Sequence, residues 1–263
     1  MGDAARSLTI LDFGRANIDL GAVMAPGDAD GLWAVCPFPG YLIELADGRR
    51  VLIDTGPNRR HIREPMFEFV GRPLADHLIP DLSDADDPLN RLREIGLEAG
   101  DIDVLVLTHT HFDHAGNTID FAGSEIVINR DAHAFGLDCA RRGAPGGIPE
   151  VDLSGAPMPY RLLDGDSELA PGVTLLHTPG HAAGHMSVLL RLPDTGPVIL
   201  AIDAIYSRLN HERDNYKIGF DPQAGRDSAH RVIALAEQEH AMLIYGHDAQ
   251  QWQELRKAPE RYT

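Results

Sequence analysis

Positive charge is scarce in this chain of 263 residues. Lys and Arg number 23 against 40 Asp and Glu, which leaves a formal net charge of −17 at pH 7. A surface with this charge repels polyanions on average, so we expect neither nucleic acid nor an anionic membrane as a partner. There are only two cysteines, too few for a disulfide framework. We expect Cys36 and Cys139 to be separate thiols in a reducing compartment.

Long apolar segments are also missing. Residues 1–6 contain no basic stretch followed by an apolar one, so no secretory signal is visible. The longest apolar runs, such as Val198–Ile202, have the length of a β-strand and are too short to cross a bilayer. The chain is 43% hydrophobic and 24% charged, which is typical of a globular protein. We therefore expect one cytoplasmic domain over residues 1–263.

Predicted strands outnumber predicted helices, and helices fall in both halves of the chain. Apolar runs bounded by Gly, Pro or Asp predict strands at Leu8–Phe13, Leu32–Cys36, Tyr41–Leu45, Arg50–Asp54, Val104–Leu107, Glu125–Ile128, Val173–His177, Ser187–Leu192, Val198–Ile202 and Met242–Tyr245. Capping and spacing signals predict helices from Pro88 to Gly96 and from Pro222 to Glu239, and Cys139–Pro159 is expected to be irregular. Two β-rich halves that each carry helices would form an α/β four-layer αββα sandwich, although periodicity alone leaves that arrangement open.

The densest chemical signal is the segment from Thr108 to His114, which reads Thr-His-Thr-His-Phe-Asp-His and follows the apolar run ending at Leu107. In an extended segment His109 and His111 point to the same side. Asp113 and His114 then lie in a turn beside them. Imidazole nitrogens with one carboxylate oxygen suit Zn²⁺ or a similar divalent transition metal.

Three further candidate ligands each follow a predicted strand. They are His181, Asp203 and His247. Ligands gather at strand ends in open sheets, so these side chains are expected to meet the first cluster. The total is then seven side-chain donors. Seven donors and one exchangeable water are enough to coordinate two metal ions.

Taken together, these motifs resemble the metallo-β-lactamase superfamily and, within it, the N-acyl homoserine lactone lactonases, which are quorum-quenching enzymes. The superfamily pattern consists of the seven donors in order and of Leu52–Gly56, an apolar strand that ends in Asp-Thr-Gly. The lactonase pattern has three parts. They are Tyr206, three residues after Asp203; Gly219–Pro222 before the last long helix; and Thr178–His181 followed by Gly184 and His185 before a strand. The resemblance extends from about residue 32 to the end of the chain.

The resemblance implies an αββα fold with two divalent metal ions in a groove at one edge of the two sheets. Zinc is the first choice of metal, and iron, cobalt and manganese are alternatives. His109, His111 and His181 would hold one ion, Asp113, His114 and His247 the other, and Asp203 would bridge them. Asp54 would orient the ligand loop through hydrogen bonds. His185 would be a residue at a strand start and not a ligand.

The implied reaction opens the ring of N-acyl homoserine lactones to N-acyl homoserines by attack of a hydroxide held by the metals. Tyr206 would stabilise the oxyanion, and Asp113 would carry the proton to the leaving oxygen. Candidates for contact with the substrate are Phe112, Tyr206, Met66, Phe67 and Phe69. The partner is expected to be a small lactone, and the protein to be a monomer or homodimer.

Other activities fit the same ligand pattern. One is a lactonase for another ring, such as 4-pyridoxolactone, and another is a thioester hydrolase of the glyoxalase II type. The few basic residues after Glu239 count weakly against a glutathione carboxylate. An iron-dependent oxidoreductase on the same fold is an alternative of a different class, but the complete second donor set favours two metals. A binding protein without turnover would leave that set unexplained.

Overall fold

The structure is a computed structural model, which describes residues 5–67, 73–143, 153 and 158–263. Its strands are β1 (Ala5–Asp19), β2 (Trp33–Leu45), β3 (Arg50–Ile53), β4 (Leu78–Asp81), β5 (Val104–Leu107), β6 (Glu125–Asn129), β7 (Tyr160–Leu163), β8 (Ser167–Ala170), β9 (Val173–His177), β10 (Met186–Leu192), β11 (Gly196–Ile202) and β12 (Met242–Tyr245). Its α-helices are α1 (Leu20–Val23), α2 (Pro88–Glu94), α3 (Phe112–Ala115), α4 (Arg130–Arg142), α5 (Arg208–Arg213), α6 (Pro222–Glu239) and α7 (Ala249–Glu254). Short 3-10 turns occupy Arg59–Ile62, Pro73–Asp76, Asp84–Asp86, Ala99–Asp101 and Thr118–Phe121.

The strands of the described ranges form two sheets. The larger has the order β4-β1-β2-β3-β5-β6-β7, and the smaller has the order β12-β11-β10-β9-β8. Strands β3, β5, β6 and β7 are parallel, as are β11 and β12. Parallel neighbours end at the same sheet edge, so the loops that follow β5, β11 and β12 can contribute to one site.

Alternate residues of the central strands enter different apolar cores. On β5, Leu105 packs with the outer cluster of the large sheet, whereas Val104 and Val106 pack between the two sheets. A third cluster places Ala229 and Val232 of α6 against the outer face of the small sheet. Helix, sheet, sheet and helix layers follow from this burial on both faces, and the predicted αββα sandwich is confirmed.

Two secondary-structure predictions were wrong in detail. The expected strands Leu32–Cys36 and Tyr41–Leu45 are one strand, β2, and Pro37 lies inside it opposite a register break of β1 between Asp12 and Arg15. A proline lacks the N–H that a regular ladder needs, and a bulge tolerates that loss.

The segment Cys139–Pro159, expected to be irregular, begins as helix. Its first residues continue α4 to Arg142, and Gly143 ends the helix with a left-handed φ of 63°. Residues 144–152 and 154–157 of this segment lie outside the described residues. No helix in the described ranges has both the length and the apolarity needed to span a membrane.

Candidate metal centre

Seven predicted ligands meet at one edge of the two sheets. Four follow β5, and the other three follow β9, β11 and β12. Within the described ranges their side-chain donor atoms form two groups, each contained within 4.8 Å. The first group consists of His109, His111, His181 and Asp203. The second group consists of Asp113, His114 and His247.

Three imidazole nitrogens of the first group converge on one point. His181 Nε2 lies 2.7 Å from His111 Nδ1 and 3.1 Å from His109 Nε2, and the latter two atoms are 3.1 Å apart. Burial lowers the pKa of all three rings, and that of His109 and His181 falls well below the ordinary value. The rings are therefore neutral near pH 7, and each keeps a lone pair. Three converging lone pairs fit a divalent cation.

Asp203 lies between the groups and turns one carboxylate oxygen to each. Its Oδ2 is 3.2 Å from His181 Nε2, and its Oδ1 is 3.0 Å from His247 Nε2. Burial opposes the ionised form, but the charges of His247 and His114 hold the pKa of Asp203 well below its usual value. An ionised carboxylate in this position fits the bridging role that the resemblance implies.

The second group collects negative charge around two histidines. Asp113 Oδ2 lies 3.6 Å from His114 Nε2 and 3.7 Å from His247 Nε2. Burial opposes protonation, but Asp113 and Asp203 outweigh it and raise the pKa of both rings. The buried His114 Nε2 has no hydrogen-bond partner among the described residues. An orphaned nitrogen beside two carboxylates fits a bound cation.

The outer ring nitrogens of His114 and His247, which face away from the centre, are fixed by hydrogen bonds. His114 Nδ1 lies 2.8 Å from Asp54 Oδ2, and His247 Nδ1 lies 2.8 Å from the Pro37 carbonyl. Asp54, at φ 61°, also accepts from the Thr108 N–H and hydroxyl at 2.8 and 2.7 Å. These contacts hold a proton on each outer nitrogen, so the nitrogen that faces the centre is the one that a metal ion would bind. The sequence indicated Asp54, whereas the Pro37 carbonyl carries no sequence signal.

Tyr206 lies at the mouth of the first group. Its hydroxyl is 2.6 Å from His181 Nδ1, and its backbone carbonyl accepts from the His247 N–H at 2.7 Å. If His181 Nε2 is a ligand, its Nδ1 carries the proton and donates to the phenol oxygen. The phenol proton is then free to point into the cavity.

A mostly apolar cavity of about 390 Å³ opens beside this centre. Its wall is formed by Ile18, Ala22, Val23, Met24, Pro73, Leu74, His77, Leu78, Phe112, Tyr206 and Ile218, together with the predicted ligands His111, Asp113, His181, Asp203 and His247. Most of the apolar wall comes from the end of β1, from α1 and from the approach to β4. The sequence did not indicate Ile18, Val23 or Leu74, because nothing local shows which apolar side chains face a cavity.

The predicted substrate contacts are distributed unevenly around this cavity. Phe112 and Tyr206 line it. Met66 packs against the outer core of the large sheet, and the Phe67 ring packs against the His61 ring at a tilt, with centroids 4.4 Å apart. His61 in turn contacts Phe112, so Phe67 lies one layer behind the wall. Phe69 falls outside the described residues.

Sequence and fold both match known proteins. The family model described as the metallo-beta-lactamase superfamily matches residues 39–247. N-acyl homoserine lactonase AiiA of Bacillus thuringiensis subsp. kurstaki is 30% identical over 259 residues, which cover 97% of this chain and 98% of that protein. N-acyl homoserine lactonase AttM of Agrobacterium fabrum is 30% identical over 238 residues, which cover 86% and 88%. One similar solved structure is that of an N-acyl homoserine lactone hydrolase with the product N-hexanoyl-L-homoserine bound at its catalytic metal center. It superposes with a TM-score of 0.89 at 28% identity, and the match covers 98% of this chain and all of that one.

Proposed function

The chain belongs to the metallo-β-lactamase superfamily, and we propose that it opens the ring of N-acyl homoserine lactones at a di-metal centre. The observation that carries this proposal is the junction of two donor groups, joined by Asp203, with a mostly apolar cavity of about 390 Å³. A lactone head fits the charged end, and an acyl chain fits the apolar end. Removal of such signalling lactones would be quorum quenching, in the cytoplasm.

Two zinc ions are the cofactor that we propose. His109, His111 and His181 would hold one, Asp113, His114 and His247 the other, and Asp203 would contact both. Bound divalent ions supply Lewis-acid chemistry, since they polarise a carbonyl and lower the pKa of water to about 7. The protein contributes a buried set of donors. The outer ring nitrogens of His114 and His247 are already bound by hydrogen bonds to Asp54 and to the Pro37 carbonyl.

Tyr206 would stabilise the charge that develops on the substrate. When water adds to the lactone carbonyl, the carbonyl oxygen becomes an oxyanion. The Tyr206 hydroxyl, turned by His181 Nδ1, can donate its proton toward that oxygen. A donor already aimed where charge appears lowers the barrier without reorganisation.

Asp113 would move the proton that ring opening requires. Its carboxylate lines the cavity beside His114 and His247. Oδ2 would accept the proton of the attacking water and return it to the ring oxygen as the carbon–oxygen bond breaks. Ring opening leaves a hydroxyl and a carboxylic acid, which loses its remaining proton to the solvent at neutral pH, and the product is the N-acyl homoserine.

The substrate assignment is tested by comparing three substrates with the zinc-loaded protein. N-hexanoyl homoserine lactone, 4-pyridoxolactone and S-lactoylglutathione are assayed separately, with mass spectrometry for the product. We expect kcat/KM for the homoserine lactone to exceed that for the other two by on the order of 100-fold, about 2.7 kcal/mol in transition-state binding. Turnover of the thioester alone would refute the lactonase proposal and leave the metal centre intact.

A further inference from the structure

His185 makes a direct hydrogen bond to the backbone of the bridging residue. It is fully buried, and its Nε2 accepts the Asp203 N–H at 3.1 Å. An acceptor nitrogen carries no proton, so the ring proton of neutral His185 must lie on Nδ1. That nitrogen is 2.9 Å from Thr178 Oγ1 and 3.1 Å from the Thr178 carbonyl. The ring is thereby fixed in one orientation and one tautomer.

The hydrogen bonds continue from Thr178 back to the same strand. Thr178 Oγ1 lies 3.0 Å from Ser187 Oγ, and Ser187 Oγ donates to the Ala201 carbonyl at 2.8 Å. Because the Ser187 proton is used on Ala201, Thr178 is the donor in its contact with Ser187, which is shorter than its alternative contact with the Leu176 carbonyl at 3.4 Å. The Thr178 oxygen can then accept from His185. His185, Thr178 and Ser187 thus form a hydrogen-bonded relay. It binds the end of β11 at two peptide groups, the Ala201 carbonyl and the Asp203 N–H.

The residue between those two peptide groups is conformationally strained. Ile202 has a φ of 52°, in the left-handed region that a β-branched side chain rarely adopts. Such a conformation persists only where its surroundings over-determine it. It turns the chain so that Asp203 leaves the strand with its carboxylate between the two donor groups.

We propose that His185 is a positioning residue, which holds the Asp203 peptide so that the carboxylate stays available to both metal ions. The inference rests on the di-metal part of the proposed function and not on the substrate. Neither the family match nor the ligand pattern assigns this role, because His185 contributes no atom to either donor group.

Two polar replacements separate the contact with Asp203 from the contact with Thr178. The amide of His185→Asn reaches only the position of Nδ1, whereas that of His185→Gln reaches the position of Nε2 and can still accept from Asp203. The zinc-loaded proteins are mixed with excess chromogenic chelator and the release of zinc is followed without substrate. We expect His185→Asn to release zinc about tenfold faster than the wild type, and His185→Gln to stay within threefold of the wild type. In the lactone assay His185→Asn should lower kcat about tenfold and leave KM within twofold.

Release at the wild-type rate from His185→Asn, or equally fast release from both variants, would overturn the proposal. A second pair of variants keeps the test decisive if His185→Asn does not fold. Ser187→Ala breaks the relay, and Ser124→Ala removes an equally buried serine whose hydroxyl donates to the Ile102 carbonyl at 2.7 Å, at the opposite end of β5. We expect about threefold faster release from Ser187→Ala than from Ser124→Ala. Equal rates would count against the relay, whatever the melting temperatures.

Discussion

The side chains at the two ends of the cavity are held in place by different kinds of interaction. At the charged end, His114 and His247 have their outer nitrogen bound to Asp54 or to the Pro37 carbonyl. At the apolar end, side chains such as Val23 and Ile218 have only van der Waals contacts with neighbours of the outer core. Directional contacts fix a geometry to fractions of an ångström, whereas apolar packing fixes mainly a volume.

This difference predicts two kinds of mutational response. Substitution at the charged end should remove a step of the reaction outright, because no neighbour can take over a donor atom. Substitution at the apolar end should shift substrate preference gradually, because the loss scales with buried area. The predictions below test this contrast, beginning with the largest expected effect.

Asp203→Asn should lower kcat/KM by on the order of 10³, which corresponds to about 4 kcal/mol. The amide removes the negative charge that both donor groups face. Metal analysis after dialysis should give close to two ions per wild-type chain and fewer in the variant. Wild-type turnover with two retained ions would refute the bridging role of Asp203.

Tyr206→Phe should lower kcat about 10²-fold with little change in bound metal, because it removes only a hydrogen-bond donor. Tyr216→Phe is a matched control, since the Tyr216 hydroxyl is buried without a hydrogen-bond partner among the described residues. We expect the control to keep kcat within twofold of the wild type. An equal loss in both variants would remove the oxyanion role of Tyr206.

Val23→Phe should change chain-length preference and leave the chemistry in place. The larger side chain fills part of the apolar cavity, and each methylene displaced from it costs about 0.8 kcal/mol. The ratio of kcat/KM for N-decanoyl over N-butanoyl homoserine lactone should fall about tenfold, while kcat for the short substrate stays within threefold. An unchanged ratio would place the acyl chain elsewhere.

The smallest effect is expected far from both ends, at the ion pair of Asp166 with Arg231 on α6. Burial raises the pKa of Asp166, but hydrogen bonds from Arg231 and from the His177 N–H outweigh it, so the net pKa is lowered. A lowered folded-state pKa stabilises the protein above the unfolded value of 3.8, and this stability is lost as the pH falls through the folded-state pKa. Asp166→Asn should therefore cost less than about 1 kcal/mol at pH 6.5, measured by urea unfolding. The difference should shrink as the pH falls below 3.8, and a difference that grows on acidification would contradict this prediction.

Most of the charged end was predictable because its signals are local. Four of its donors occupy six consecutive positions after one apolar strand, and the other three each follow a strand of their own. The apolar end was not predictable in the same way. Val23, Leu74 and Ile218 are ordinary apolar residues in sequence, and only the pairing of β1 with β4 brings the first two near the metal centre.

The sequence by itself therefore determined which atoms can bind metal and which strands deliver them, because spacing along a strand and residue chemistry are local properties. The tertiary structure alone decided how those atoms are aimed. The Pro37 carbonyl behind His247, and the contact between His185 and the Asp203 N–H, join residues 210 and 18 positions apart. Hydrogen bonds of this kind depend on distances in space that no local pattern encodes.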